Sequence, residues 1–148
     1  MSERIKTAAL RDFSVSLCRA AGLSADDAAL LTDSILFAEC RGVTSHGLLR
    51  LPQYIARLRS GATASNVPMP FTMKSGGTAR LDAQNGLGQL AGRKASDKAA
   101  ELAAKYGVSF VAVANSNHFG TGAWYAIPAA RRGFFAFNIS SAASAMAP

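Results

Sequence analysis

The stretch ARLDAQNGLGQLAGRKASDKAAELAAKYGVSFVAVAN, residues 79–115, decides the fold. Residues 79–83 read as a short strand, residues 88–107 as a helix, and VSFVAVA (108–114) as a buried strand. Strand, helix and strand in that order are the unit from which α/β folds are built. Downstream, a further helix is expected at about 122–132, where Pro128 predicts a kink or a broken turn, and FFAFNIS (134–140) reads as another strand. SSAASAMAP follows that strand directly, with no closing helix, and reads as an interrupted domain.

Upstream, residues 61–78 (GATASNVPMPFTMKSGGT) hold three glycines and two prolines with little periodicity, and read as an extended connection. The N-terminal third reads as helices. Ala9, Phe13, Leu17 and Ala20 fall on one helical face, and Gly22 stops that helix. Ser24 caps the next helix, with Asp26 and Asp27 in its first turn; Ala28, Leu31, Ile35 and Ala38 form its apolar face, and Gly42 ends it. A third helix carries Leu48, Leu51, Ile55 and Leu58, with Gly61 after it. The expected organisation is a helical lobe at 1–62, a connection at 63–78 and an α/β segment at 79–148, an α/β (α+β) class overall.

Composition bounds the function. The chain has 148 residues, 49% hydrophobic and 17% charged, which excludes a disordered or collagen-like polymer. No apolar run approaches the ~18 residues needed to span a bilayer, and the charged first twenty residues lack the apolar core of a signal peptide. The expectation is a cytoplasmic protein without a membrane partner. Sixteen Lys and Arg against nine Asp and Glu leave a net charge of +7, which suits an anionic partner. A nucleic-acid-binding module predicts a continuous basic stripe; here Arg50, Arg57 and Arg59 lie in one patch and Arg131 and Arg132 in another, a spacing that favours small anions. Cys18 and Cys40, without a CxxC or a histidine at ligand spacing, read as buried reduced thiols, with neither a metal site nor a disulfide.

Three motifs could carry chemistry. Gly86-x-Gly88-x-x-Ala91, between a strand and a helix, matches a dinucleotide-binding turn in spacing. Against that reading, the preceding strand is short and contains Asp82, Asn85-Gly86 reads as a tight turn, and the following strand ends in Asn115 where an acidic ribose ligand belongs. The glycines therefore read as turn and packing residues. The second motif is Thr44-Ser45-His46-Gly47-Leu48-Leu49-Arg50. On a helix His46, Arg50 and Tyr54 would share one face, although Pro52 makes Ser45–Arg50 equally readable as an irregular lead-in. A guanidinium can hold a carboxylate through two parallel hydrogen bonds, and an imidazole can exchange a proton near neutral pH. The third is Asn115-Ser116-Asn117-His118-Phe119-Gly120, a polar loop after a strand, where α/β proteins commonly place ligands. Phe119, Trp124 and Tyr125 beside it could form an apolar wall.

TSHGLLRLPQY (44–54) and NSNHFG (115–120), together with LDAQNGLGQLAGRKASDKAAELAAKYGVSFVAVAN between them, resemble the NAD(P)-dependent malate/L-lactate dehydrogenase family. This group lacks the Rossmann fold and also includes ureidoglycolate, sulfolactate and diketogulonate enzymes and cyclic ketimine reductases. The resemblance runs from Ser24 to Pro148. It implies a helical lobe followed by the beginning of a non-Rossmann NAD(P)-binding sheet domain, in a chain shorter than family members. It also implies hydride exchange between NAD or NADP and C2 of a small 2-hydroxy or 2-oxo acid, or the analogous imine.

By resemblance, His118 and His46 are the acid/base candidates, with His118 favoured. Arg50 would clamp the substrate carboxylate, Ser45 and Tyr54 would line its pocket, and Ser141, Ala142 and Pro148 would touch the cofactor. A homodimer is the implied state of the full-length form. The alternative is a non-catalytic remnant that at most binds small carboxylates.

Overall fold

In the computed structural model, which describes residues 5–141, the N-terminal third forms three helices: α1 (Thr7–Ala20), α2 (Ala25–Glu39) and α3 (Leu51–Arg59). Ser24 accepts the Asp27 backbone N–H at 3.2 Å and caps α2, whose expected face of Ala28, Leu31, Ile35 and Ala38 is buried. Gly22, at φ 98°, ends α1 in the left-handed region that a side chain disfavours.

The face α1 buries differs from the expected one. Ser14 and Cys18 are buried and Leu17 partly so, while Phe13 is 59% exposed and Ala9 and Ala20 are also exposed. The Ser14 hydroxyl donates to the Leu10 carbonyl at 2.8 Å, so its burial leaves no polar group unpaired. Arg11 grips Asp33 through two hydrogen bonds, of 2.6 and 3.0 Å, and ties α1 to α2. Of the two thiols, Cys18 is buried as expected and Cys40, at the end of α2, is exposed.

The remainder is a βαβ unit with additions. β1 (Phe71–Ser75) pairs antiparallel with β2 (Thr78–Asp82), with a register shift between Met73 and Ser75. β2 pairs parallel with β3 (Phe110–Ala114) across α4 (Gly88–Tyr106), and the strand order is β1-β2-β3. β1 lies inside the stretch read as an extended connection and is exposed along its length, so no apolar face marks it in the sequence. β3 falls where expected but is not buried: Phe110 is 60% exposed and Val113 is exposed as well. A continuous apolar strand implies cover on both faces. Among the described residues β3 is an edge strand, packed by α4.

α5 (Ala123–Arg131) runs through Pro128 as one helix. Pro128 lies in its sixth position, beyond the first turn where the missing N–H has no cost. FFAFNIS does not pair as a strand among the described residues; Phe135 and Phe137 stand 94% and 76% exposed. The core joins α2 to the βαβ unit through Leu31, Ile35, Leu81, Leu87, Leu90 and Ala91. Leu87 and Leu90 flank the start of α4, so this packing fixes the end of the unit where both polar loops converge.

Candidate active site

The third motif is a tethered loop. Asn115 takes a left-handed φ of 54°, and its side-chain amide donates to Asp82 Oδ1 at 3.0 Å, as does the Gln84 backbone N–H at 3.0 Å. These bonds, that of Asn115 first, hold the Asp82 carboxyl below its ordinary pKa. The Asn85 backbone N–H donates to the Asn115 carbonyl at 2.8 Å. Asn117 Nδ2 donates to the Asn85 and Gly86 carbonyls at 2.9 and 3.0 Å, and Arg57 donates to Asn117 Oδ1 at 2.8 Å. Arg57 thus stitches α3 to the loop.

A Cβ on Gly88 would overlap the Asn117 carbonyl oxygen, which explains the glycine at that position. The loop backbone fills the space at the start of α4 where a pyrophosphate would approach, so the glycine turn does not fit a dinucleotide phosphate. The packing reading of Gly86-x-Gly88 is the one the geometry supports.

This anchoring presents His118. Its Nδ1 shares a 2.7 Å hydrogen bond with the Tyr54 hydroxyl, and its ring stacks on His46 with centroids 5.2 Å apart and planes 28° from parallel. Desolvation, then the His46 charge, then the Arg50 charge hold the His118 imidazole below its ordinary pKa of 6.5. Tyr54 is buried in α3, and burial pushes its phenol up, against opposing contributions from Gln89 and Arg50.

The second motif is not one helix. Thr44–His46 and Leu48–Arg50 form two separate 3₁₀ turns before α3, with Pro52 in the first turn of α3. His46 and Tyr54 still meet, because both reach His118. Ser45 Oγ lies 3.0 Å from His46 Nδ1, and Arg50 donates to the Ser45 carbonyl at 2.7 Å and to Gln53 Oε1 at 3.0 Å. Glu39 accepts the Leu48 backbone N–H at 2.8 Å and holds the turn to the end of α2.

The structure therefore brings Ser45, His46, Arg50, Tyr54 and His118 together. Ser141 is exposed at the end of the described residues, and Ala142 and Pro148 lie outside them. The aromatic residues do not form an open wall. Phe119 stacks on Tyr125, whose buried hydroxyl donates to the Phe119 carbonyl, and Trp124 meets Phe37 edge to face. Among the described residues no cluster of three or more His, Cys, Asp or Glu could hold a metal. No helix there is long and apolar enough to cross a membrane.

Sequence reasoning missed Glu39, Asn117 as an anchor, and Gln89. A glutamine among the buried residues Gly88–Ala91 was the available signal for the last of these.

Two histidines and a guanidinium from two loops and a phenol from α3 thus converge, groups that can exchange a proton and pair with a carboxylate. Residues 5–148 match the malate/L-lactate dehydrogenase family, and the chain belongs to that family. It is 34% identical over 145 residues to a malate dehydrogenase of Pyrococcus abyssi, which spans 98% of this chain and 40% of the relative. It is also 34% identical over 148 residues to a (2R)-3-sulfolactate dehydrogenase (NADP(+)) of Chromohalobacter salexigens, covering all of this chain and 44% of the relative. The solved malate dehydrogenase of Pyrococcus horikoshii superposes with a TM-score of 0.85 at 31% identity, over 88% of this chain and 38% of that one. The chain thus spans about two fifths of the length of these relatives.

Proposed function

We propose that this chain carries the substrate and proton-transfer side of an NAD(P)-dependent oxidoreductase that acts at C2 of a small 2-hydroxy or 2-oxo acid. The observation that carries the reading is the convergence on one imidazole: Tyr54 bonds His118 Nδ1, His46 stacks on its ring, and the Arg50 charge bears on it. Arg50 holds the substrate carboxylate by a charge-assisted pair. His118 exchanges the proton of the C2 oxygen through Nε2, with His46 as the second group able to do so. The depressed His118 pKa keeps the ring neutral at neutral pH, in the form that takes a proton from a 2-hydroxy acid. Ser45 and Tyr54 line the same pocket.

The nicotinamide supplies the redox chemistry. One relative is a (2R)-3-sulfolactate dehydrogenase (NADP(+)), and either NAD or NADP suits the class. The start of α4 is closed to the nucleotide, because the 117–118 backbone fills the glycine turn. Ser141, Ala142 and Pro148 are the proposed cofactor contacts. The division into a helical lobe at 1–62, a connection at 63–78 and an α/β segment at 79–148 belongs to the same proposal. So do a cytoplasmic setting and a homodimer in the longer form.

The test is a titration of the purified chain with NADH and NADPH followed through Trp124 fluorescence, with circular dichroism on the same sample and a screen of 2-oxo acids for nucleotide oxidation. Saturable quenching and turnover of a 2-oxo acid are expected. A folded sample that answers to neither nucleotide overturns the nicotinamide part of the reading.

A further inference from the structure

A single hydrogen bond at Nδ1 leaves an imidazole free to swing about that bond, so the backbone that carries His118 needs a second point of restraint. α3 supplies one beside the first. Tyr54 and Arg57 stand three residues apart on that helix, hence on one face. Tyr54 shares the 2.7 Å bond with His118 Nδ1, and Arg57 Nη2 donates to Asn117 Oδ1 at 2.8 Å. Two adjacent residues of the loop, 117 and 118, are thus gripped from adjacent turns of one helix.

Arg57 is exposed, yet its guanidinium is fixed before it meets the loop. Nε donates to Thr63 Oγ1 at 3.1 Å and Nη2 to the Ala62 carbonyl at 3.2 Å. Thr63 is 2% exposed, and its backbone N–H returns a bond to the Arg57 carbonyl at 3.1 Å. Asn117 is oriented by what it faces. Its oxygen meets a guanidinium, which only donates, and its NH2 group meets the Asn85 and Gly86 carbonyls, which only accept. Reversing the amide would lose all of these bonds at once. We propose that Arg57 is a positioning residue for His118: through Asn117 it seats the loop on the turn before α4, while Tyr54 fixes the ring, and α3 so decides where Nε2 stands.

The effect is one of position and not of charge. Burial, His46 and Arg50 hold the His118 imidazole below its ordinary pKa, and the Arg57 charge is not among the causes. The proposal rests on His118 being the group that moves the proton. It adds what places that group relative to Arg50, which leads into the same helix.

The experiment uses the 148-residue chain with isotope-labelled histidine and no substrate or cofactor. The chain has only two histidines, so a His46→Asn variant assigns both signals. The wild type should show a through-space NMR cross-peak between the two stacked rings and a His118 titration midpoint below 6.5. Arg57→Met, which keeps the stem and loses the donors, should lose the cross-peak and move the midpoint toward 6.5. Asn117→Ala should do the same although it removes no charge, and the double variant should go no further than the larger single one. Thr63→Val removes the bond to Arg57 Nε and spares the one to Asn117, so it should keep both cross-peak and midpoint, whatever it does to thermal stability.

A folded Arg57→Met chain with the wild-type cross-peak and midpoint overturns the proposal. So do shifts that add in the double variant, or a Thr63→Val chain that loses the ring contact as Arg57→Met does. If Arg57→Met does not fold, Asn117→Ala decides, and an unmoved ring there overturns the proposal equally. These failures leave carboxylate binding at Arg50 untouched, whereas a chain that behaves as expected but binds no small carboxylate contradicts the functional reading alone.

Discussion

His118 sits in a segment tied at Asn115, Asn117, His118 and Phe119 to β2, the turn before α4, α3 and α5. His46 sits in two 3₁₀ turns held mainly by their own residues, with Glu39 as the tie to a neighbouring helix. Both rings reach the same spot, stacked 5.2 Å apart, but only one arrives on a braced loop. A residue that moves a proton at a fixed atom needs a fixed ring. Under the proposed function, the proton therefore belongs to His118, and His46 and Arg50 stand on the side that adjusts to a substrate.

Gly88→Ala should break the contrast most severely. The new methyl group must displace the Asn117 carbonyl backbone, at about 3 kcal/mol or more, and should release His118 from Tyr54. Thermal unfolding and the His118 titration of the variant check this; an unshifted midpoint would show that the loop is not seated on α4.

Next in size is the dependence on pH. The folded His118 binds its proton below the ordinary 6.5, so the unfolded chain takes up the proton first as pH falls. The contribution is fully present above about pH 6.5 and declines as pH drops toward the folded value. Urea midpoints taken on either side of that window should fall toward acid, and His118→Gln should flatten the slope. An equally steep slope in that variant would locate the effect elsewhere.

Glu39→Gln sharpens the comparison from the weaker side. It keeps an acceptor for Leu48 N–H but loses the charge, so about 0.5–1 kcal/mol is expected in thermal unfolding, with the His118 midpoint unmoved. A shift of His118 comparable to that in Gly88→Ala would mean that the two segments are braced alike.

How much of this was legible in the sequence follows from what each signal depends on. The α2 cap and face were legible because Ser24 and the Ala28-Leu31-Ile35-Ala38 spacing are local. The bounds of α4 were legible for the same reason. The face of α1 was not, since Ser14 satisfies its hydroxyl within its own helix and packs inward while Phe13 turns out. The position of β3 could be read from its apolar run, but its exposure depends on which layers cover the sheet, and no residue of the strand encodes that. At the site, the spacing marked His46, Arg50 and Tyr54, the polar loop after β3 marked His118, and family resemblance supplied their expected roles. Their meeting depends on an anchored loop 60 residues away in sequence from Arg57, through a bond to Asn117 that no periodicity reveals.

The most direct measurement follows the two histidine signals by NMR while malate, a small 2-hydroxy acid, is added to the wild-type chain and to Arg50→Ala. Both signals should move along one saturable curve in the wild type, and Arg50→Ala should weaken binding about tenfold or more, the loss of a charge-assisted pair. Histidine signals that stay still in a folded wild-type chain, or the same affinity in Arg50→Ala, would contradict a carboxylate-and-proton site at this place.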